Sequence, residues 1–130
     1  MRELYTQIAE SKADNLIAGS RWTIDHKGVT LAAGQGVLLR GTVLGIVSAS
    51  GEAVPVDSSK SDGSERPDCI LAEEVDTTTG PTTTVAYSAG GFIRASLVFG
   101  GSDTWEKHEL EMRKLNMHLS ASIDEKGGVH

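Results

Sequence analysis

From Val29 onward, short apolar runs alternate with turns rich in glycine and serine. Val29-Thr30-Leu31 opens the series, and Ala32 to Gly36 predicts a turn in which Gly34 and Gly36 take positive φ. The most apolar stretch, Val37 to Val47, is β-branched and interrupted by Gly41 and Gly45. Interior glycines weaken a helix and mark bends or close backbone approach in a sheet, so this stretch predicts strands. Ala49 to Glu52 predicts a hairpin turn, and Ala53 to Val56 its return strand, placed at a sheet edge by the missing donor of Pro55. Asp57 to Pro67 is too polar to bury much apolar area and predicts an unpacked loop. Cys69 to Ala72 and Thr82 to Tyr87 predict strands. Ser88 to Gly91 predicts a turn, with Phe92 to Ala95 and Leu97 to Phe99 as further strands. Strands at such regular spacing suit a small barrel or sandwich.

The period changes twice more. Asp103 or Ser102 predicts a helix cap, with Glu106 three residues after Asp103. At 100° per residue Trp105, Met112 and Leu115 share a side and Leu110 lies opposite. The helix is predicted to end near Leu115, with Asn116 as its left-handed C-cap. Met117, Leu119, Ala121 and Ile123 then alternate with polar residues as a closing strand. Ahead of Val29, residues 1–28 mix charges of both signs with scattered apolar positions. They predict a flexible arm with one strand-like piece around Trp22 and Ile24, leaving residues 29–130 as the β-rich domain.

At 130 residues the chain fits one domain. Its net charge of −6 argues against a sequence-independent nucleic-acid surface, which needs a basic stripe. No apolar run approaches the roughly 18 residues of a spanning helix, and the first 17 residues lack the apolar centre of a signal peptide. These features predict no membrane partner. The single cysteine, Cys69, cannot form an intramolecular disulfide. It reads as a small buried hydrophobe, since nothing nearby is placed to activate it.

Candidate chemistry is sparse. His26, His108, His118 and His130 lack the spacing of three or four that a zinc-binding helix uses. Glu73 and Glu74 point to opposite faces if the strand continues through them. Gly34-Gln35-Gly36 is not followed by a helix that could hold a phosphate. No metal site, cofactor or catalytic residue is expected, and the chain does not read as an enzyme. Trp22 is the exception to a packing role, because tryptophan in an arm suits an interface anchor.

Several runs in order resemble the phage head decoration protein family, the group that includes the lambda head decoration protein. They are Val37-Leu38-Leu39-Arg40-Gly41-Thr42-Val43-Leu44-Gly45, then Asp62-Gly63-Ser64-Glu65 with Pro67, then Ile70-Leu71-Ala72-Glu73. Gly90-Gly91-Phe92, Leu97-Val98-Phe99-Gly100-Gly101 and a short helix follow. The resemblance spans about Val29 to Ile123. It implies a mainly β fold, a small β-clip or β-tulip-like barrel with one short C-terminal helix and a flexible N-terminal arm. It also implies a virion protein that binds the major capsid protein on the outer surface of the expanded capsid. There it would sit as a homotrimer at three-fold and quasi-three-fold sites and stabilise the head against DNA pressure. It would occupy the host cytoplasm during assembly and contact no nucleic acid directly. Leu16, Ile17, Trp22, Ile24 and Val29 are the expected capsid contacts. Two other readings compete. One is a small β-module that binds carbohydrate or another small ligand, which the scarcity of aromatic residues disfavours. The other is a metal-dependent hydrolase using Glu73 to Asp76.

Overall fold

The computed structural model describes residues 16–19 and 21–121. Its strands are β1 (Asp25–Leu31), β2 (Val37–Leu38), β3 (Val43–Ile46), β4 (Ala53–Pro55), β5 (Cys69–Leu71), β6 (Val75–Asp76), β7 (Thr82–Ile93) and β8 (Met117–Ser120). A 3-10 turn, Arg94–Ser96, and one helix, α1 (Trp105–Lys114), complete the described elements. The order β1-β4-β3-β5-β7 closes into a five-strand barrel because β7 also pairs with β1. β2 and β6 form a separate ribbon, and β8 runs parallel to the last four residues of β7.

The turn glycines behave as their positions predict. Gly34 (φ 80°) and Gly36 (φ 71°) are left-handed, in the tight connection from β1 to β2. Gly45 serves the other role: its bare Cα lets the backbone of Ser64 lie directly on β3. Barrel closure buries two apolar clusters. One contains Leu16, Val43, Val56, Ile70, Tyr87, Phe92, Met112 and Met117. The other contains Val29, Leu31, Leu38, Leu44, Ala53, Cys69, Leu71 and Ala86.

Several expectations are corrected. Pro55 is not on an edge strand: β4 lies between β1 and β3. It is tolerated because β4 meets β1 at one register pair, Leu31 with Ala53, so no ladder needs its missing donor. Gly90-Gly91 does not turn the chain but lies inside the twelve-residue β7. The polar loop from Asp57 to Pro67 is packed at its far end, with Ser64 and Pro67 buried, while Ser58 to Asp62 stay exposed. Its aspartates organise it, Asp57 accepting from the Ser59 main chain and hydroxyl and Asp62 from those of Ser64. Finally, Asp103 does not cap α1. The N-cap is Thr104, without a side-chain bond.

The helix otherwise ends as the pattern predicts, with Asn116 left-handed at φ 68°. Its buried face is His108 and Met112, while Leu115 (45% exposed) and Leu110 (68% exposed) face solvent. Trp105 is half-buried beneath the Arg94 guanidinium, 4.2 Å from its ring centroid, rather than in the core.

Candidate functional site

The five residues expected to meet a partner are placed on their own barrel. The expected boundary at Val29 falls inside β1, and part of the preceding segment is tied down. Ile17 pairs antiparallel with Phe92. Ala18 N–H donates to Gly91 O at 2.9 Å, and Ile93 N–H to Leu16 O at 2.7 Å. Leu16 is only 2% exposed, and Ile17 and Ile24 pack on the same cluster around Phe92. Val29 is buried in the other cluster. Residues 1–15 lie outside the described residues.

Trp22 holds the same root by a different contact. Its indole stacks on His118 at 5.5 Å with planes 14° apart, and the Arg21 guanidinium sits 5.3 Å from the ring centroid. The ring lies on the bare backbone of Gly91, where a Cβ would overlap it. Gly90, at φ 146°, makes a looser seat, where an added Cβ would lie 3.1 Å from the Phe92 ring and 3.3 Å from Ile24. Neither the Trp22–His118 stack nor its glycine seat is legible from spacing. The available signal was two adjacent glycines between the apolar runs Val85-Ala86-Tyr87 and Phe92-Ile93, which also suits a strand with rings packed against it. Gly91→Ala is therefore expected to eject the indole without emptying the core. It should shift Trp22 fluorescence to the red, speed trypsin cleavage at Arg21, and cost about 1–3 kcal/mol as for an overpacked site. Unchanged emission and cleavage would show that the indole does not rest there.

A second cluster joins distant segments. His108, 3% exposed, donates from Nε2 to Asp103 Oδ2 at 2.7 Å. Asp103 also accepts from the Ser58 N–H and hydroxyl, each at 2.7 Å, so it ties the loop after β4 to the first turn of α1. The His108 ring stacks on Phe99 at 5.6 Å. Burial acts to raise the Asp103 pKa, but the hydrogen bonds from His108 and Ser58 outweigh it and hold the carboxyl below its ordinary value. A depressed native pKa gives stability that is complete above the unfolded carboxyl value, near 4, and is lost as pH falls through the native one. Asp103→Asn should lower stability at pH 7 by about 1–3 kcal/mol and flatten the acid limb of a stability–pH curve. An unchanged acid limb would remove Asp103 as its source.

The reactive groups are otherwise quiet. Burial pushes the Cys69 thiol up to about 12, far from a nucleophile's range. Glu73 accepts from the Thr84 hydroxyl at 2.6 Å. Among the described residues, no three His, Cys, Asp or Glu side chains gather as metal ligands, and no helix is long and apolar enough to cross a membrane. Three large apolar side chains near the β2 end of the barrel are exposed. Val37 (51%), Leu39 (50%) and Val98 (39%) are open, with Val98 hydrogen-bonded to the main chain at Gly41 and Val43.

No curated protein matches the chain at significant similarity. The model of the family described as bacteriophage lambda head decoration protein D matches residues 5–118. That span includes every strand of the closed barrel, the helix and the segment bound along Phe92. That match supports a structural role in a phage capsid, and the chain belongs to the bacteriophage lambda head decoration protein D family.

Proposed function

We propose that this protein binds the outer surface of the expanded phage capsid as a homotrimer, at three-fold and quasi-three-fold positions, and stabilises the head against the pressure of packaged DNA. The family match over residues 5–118 carries the reading. The major capsid protein is the partner, and the protein joins the shell from the host cytoplasm during assembly. No catalysis is assigned to it.

The arm is proposed to engage the shell through the residues ahead of Leu16. Leu16, Ile17, Trp22 and Ile24 form the root behind those residues, and Val29 lies further on, inside β1. Ordering an arm costs on the order of 1–2 kcal/mol per residue in backbone entropy. Three arms on one trimer offset that cost, because each later attachment is intramolecular.

The test is co-sedimentation of the full chain with expanded capsids stripped of decoration, followed by electron microscopy of the pellets. Saturable binding with density at three-fold positions is expected, together with greater resistance of the shells to heat or chelator. Failure to bind expanded shells, or density at another symmetry position, would overturn it.

A further inference from the structure

The barrel is sealed on one side of β1 and open on the other. Towards β7 the register runs unbroken from His26 to Leu31. Towards β4 there is one register pair, Leu31 with Ala53, where Ala32 N–H donates to Ala53 O at 3.0 Å. Ahead of that pair the strands part. A groove of about 430 Å³ opens there, with Lys27 to Thr30 as one wall, Ile46 and Gly51 opposite, and Thr83 at its margin. Continued parallel pairing would have set Glu52 beside Thr30 and Gly51 beside Val29. The hairpin between β3 and β4 turns at that point instead, Gly51 N–H donating to Val47 O at 2.7 Å.

Ladder alternation decides which main-chain groups face this groove. Val85 O accepts from Ala72 N–H at 3.1 Å on the β5 side of β7. Val85 therefore directs its main-chain groups away from β1, and its register partner Gly28 belongs to a non-hydrogen-bonded pair. Lys27, Val29 and Leu31 then point their main-chain groups at β7, while Gly28 and Thr30 point theirs into the groove. The Thr30 carbonyl serves the Leu31–Ala53 pair. The Gly28 N–H, the Gly28 C=O and the Thr30 N–H remain for a visitor. Gly28 is exposed, and neither it nor Gly51 carries a side chain to shield the gap.

Main-chain donors and acceptors two residues apart recognise one chemistry, another extended main chain. The visitor must be a single main chain, because Ile46 and Gly51 stand on the opposite wall of the groove. Every described strand of a second copy, including β2, β6 and β8 with one free edge each, carries a hydrogen-bonded neighbour that would have to enter the gap with it, whereas a lone extended segment does not. We propose that this seam receives an extended, proline-free segment of the capsid subunit beneath the protein, as an added strand along β1. The proposal rests on the capsid-binding reading above. It gives the barrel its own attachment, separate from the arm.

The test is amide hydrogen exchange on the full chain, free and bound to expanded capsids, beside the binding of Thr30→Pro. Proline at Thr30 removes a donor from the groove and none from the β7 ladder. The Gly28 and Thr30 amides should exchange rapidly in the free protein and slow by at least about tenfold on the shell, while Lys27 and Val29 are slow in both. Thr30→Pro should bind capsids about five- to tenfold more weakly, as expected for one lost hydrogen bond. Wild-type binding with both amides still exchanging freely would overturn the seam and leave the capsid reading intact. Protection of both amides in the free, self-associated protein would make a second copy the occupant and overturn it equally. Absence of any wild-type binding removes the capsid reading and the seam with it. If Thr30→Pro does not fold, the wild-type exchange decides alone.

Discussion

Replacing Gly45 by alanine is expected to lower the melting temperature by roughly 10–20 °C, a loss of about 3 kcal/mol in a domain of this size. Gly45 is buried in the middle of β3, paired with Val54 of β4. A Cβ there would overlap the carbonyl oxygen of Ser64 and lie 2.8 Å from its carbonyl carbon and Cα. All of these are main-chain atoms, so no side-chain rotation relieves the clash. Ser64 cannot easily retreat. It is fully buried, its N–H and hydroxyl are held by Asp62, and Ser48 N–H donates to Asp62 O at 2.8 Å. Gly28→Ala is the control: its Cβ would meet nothing closer than Thr84 O at 3.9 Å, and its effect should stay within about 0.5 kcal/mol. Thermal melts of the two variants check the contrast. A Gly45→Ala protein as stable as Gly28→Ala would mean that the 57–67 loop does not lie on β3.

That clash also shows why some of the fold was readable and some was not. Local rules identified Gly34, Gly36 and Asn116, because a left-handed residue is a property of its own turn. They identified the strands around Leu44, Ile70 and Val85 from β-branched content, and Cys69 as a buried hydrophobe. They failed where a distant segment sets the environment. The 57–67 loop looked unable to pack because its composition is polar, yet it is organised by its own aspartates and seated by a glycine far away in sequence. Asp103 carried a cap signature, but a buried histidine one helical turn on and a serine from another loop compete for its carboxylate. Leu115 had the right angle for the helix's apolar side and lies beyond the part of α1 that the barrel covers. Candidate contact residues were the least legible. Leu16 and Ile17 are apolar in a polar stretch, and nothing local to them signals the pairing with Phe92 that seats them on the barrel.

Truncating Phe92 to alanine is expected to cost about 3–5 kcal/mol and to loosen the segment before β1 at the same time. Phe92 is fully buried and is among the largest side chains that are. Its ring lies 5.6 Å from that of Tyr87, in the cluster that also holds Leu16, Met112 and Met117. Its main chain is a junction as well, flanked by β8 on one side and by Ile17 on the other. Removing the ring leaves a void bordered by the helix, the closing strand and the arm root, elements that cannot all collapse inward together. Phe92→Leu keeps most of the volume and should cost about 1.5 kcal/mol or less. Denaturant titrations measure the two losses, and timed trypsin digestion at Arg21 measures the root. Coupling predicts that Phe92→Ala accelerates that cleavage more than Phe92→Leu, in the order of their stability losses. A large stability loss with unchanged cleavage would mean that the root is held by Trp22 and Gly91 alone. A loss below about 1 kcal/mol would mean that the ring does not fill the core.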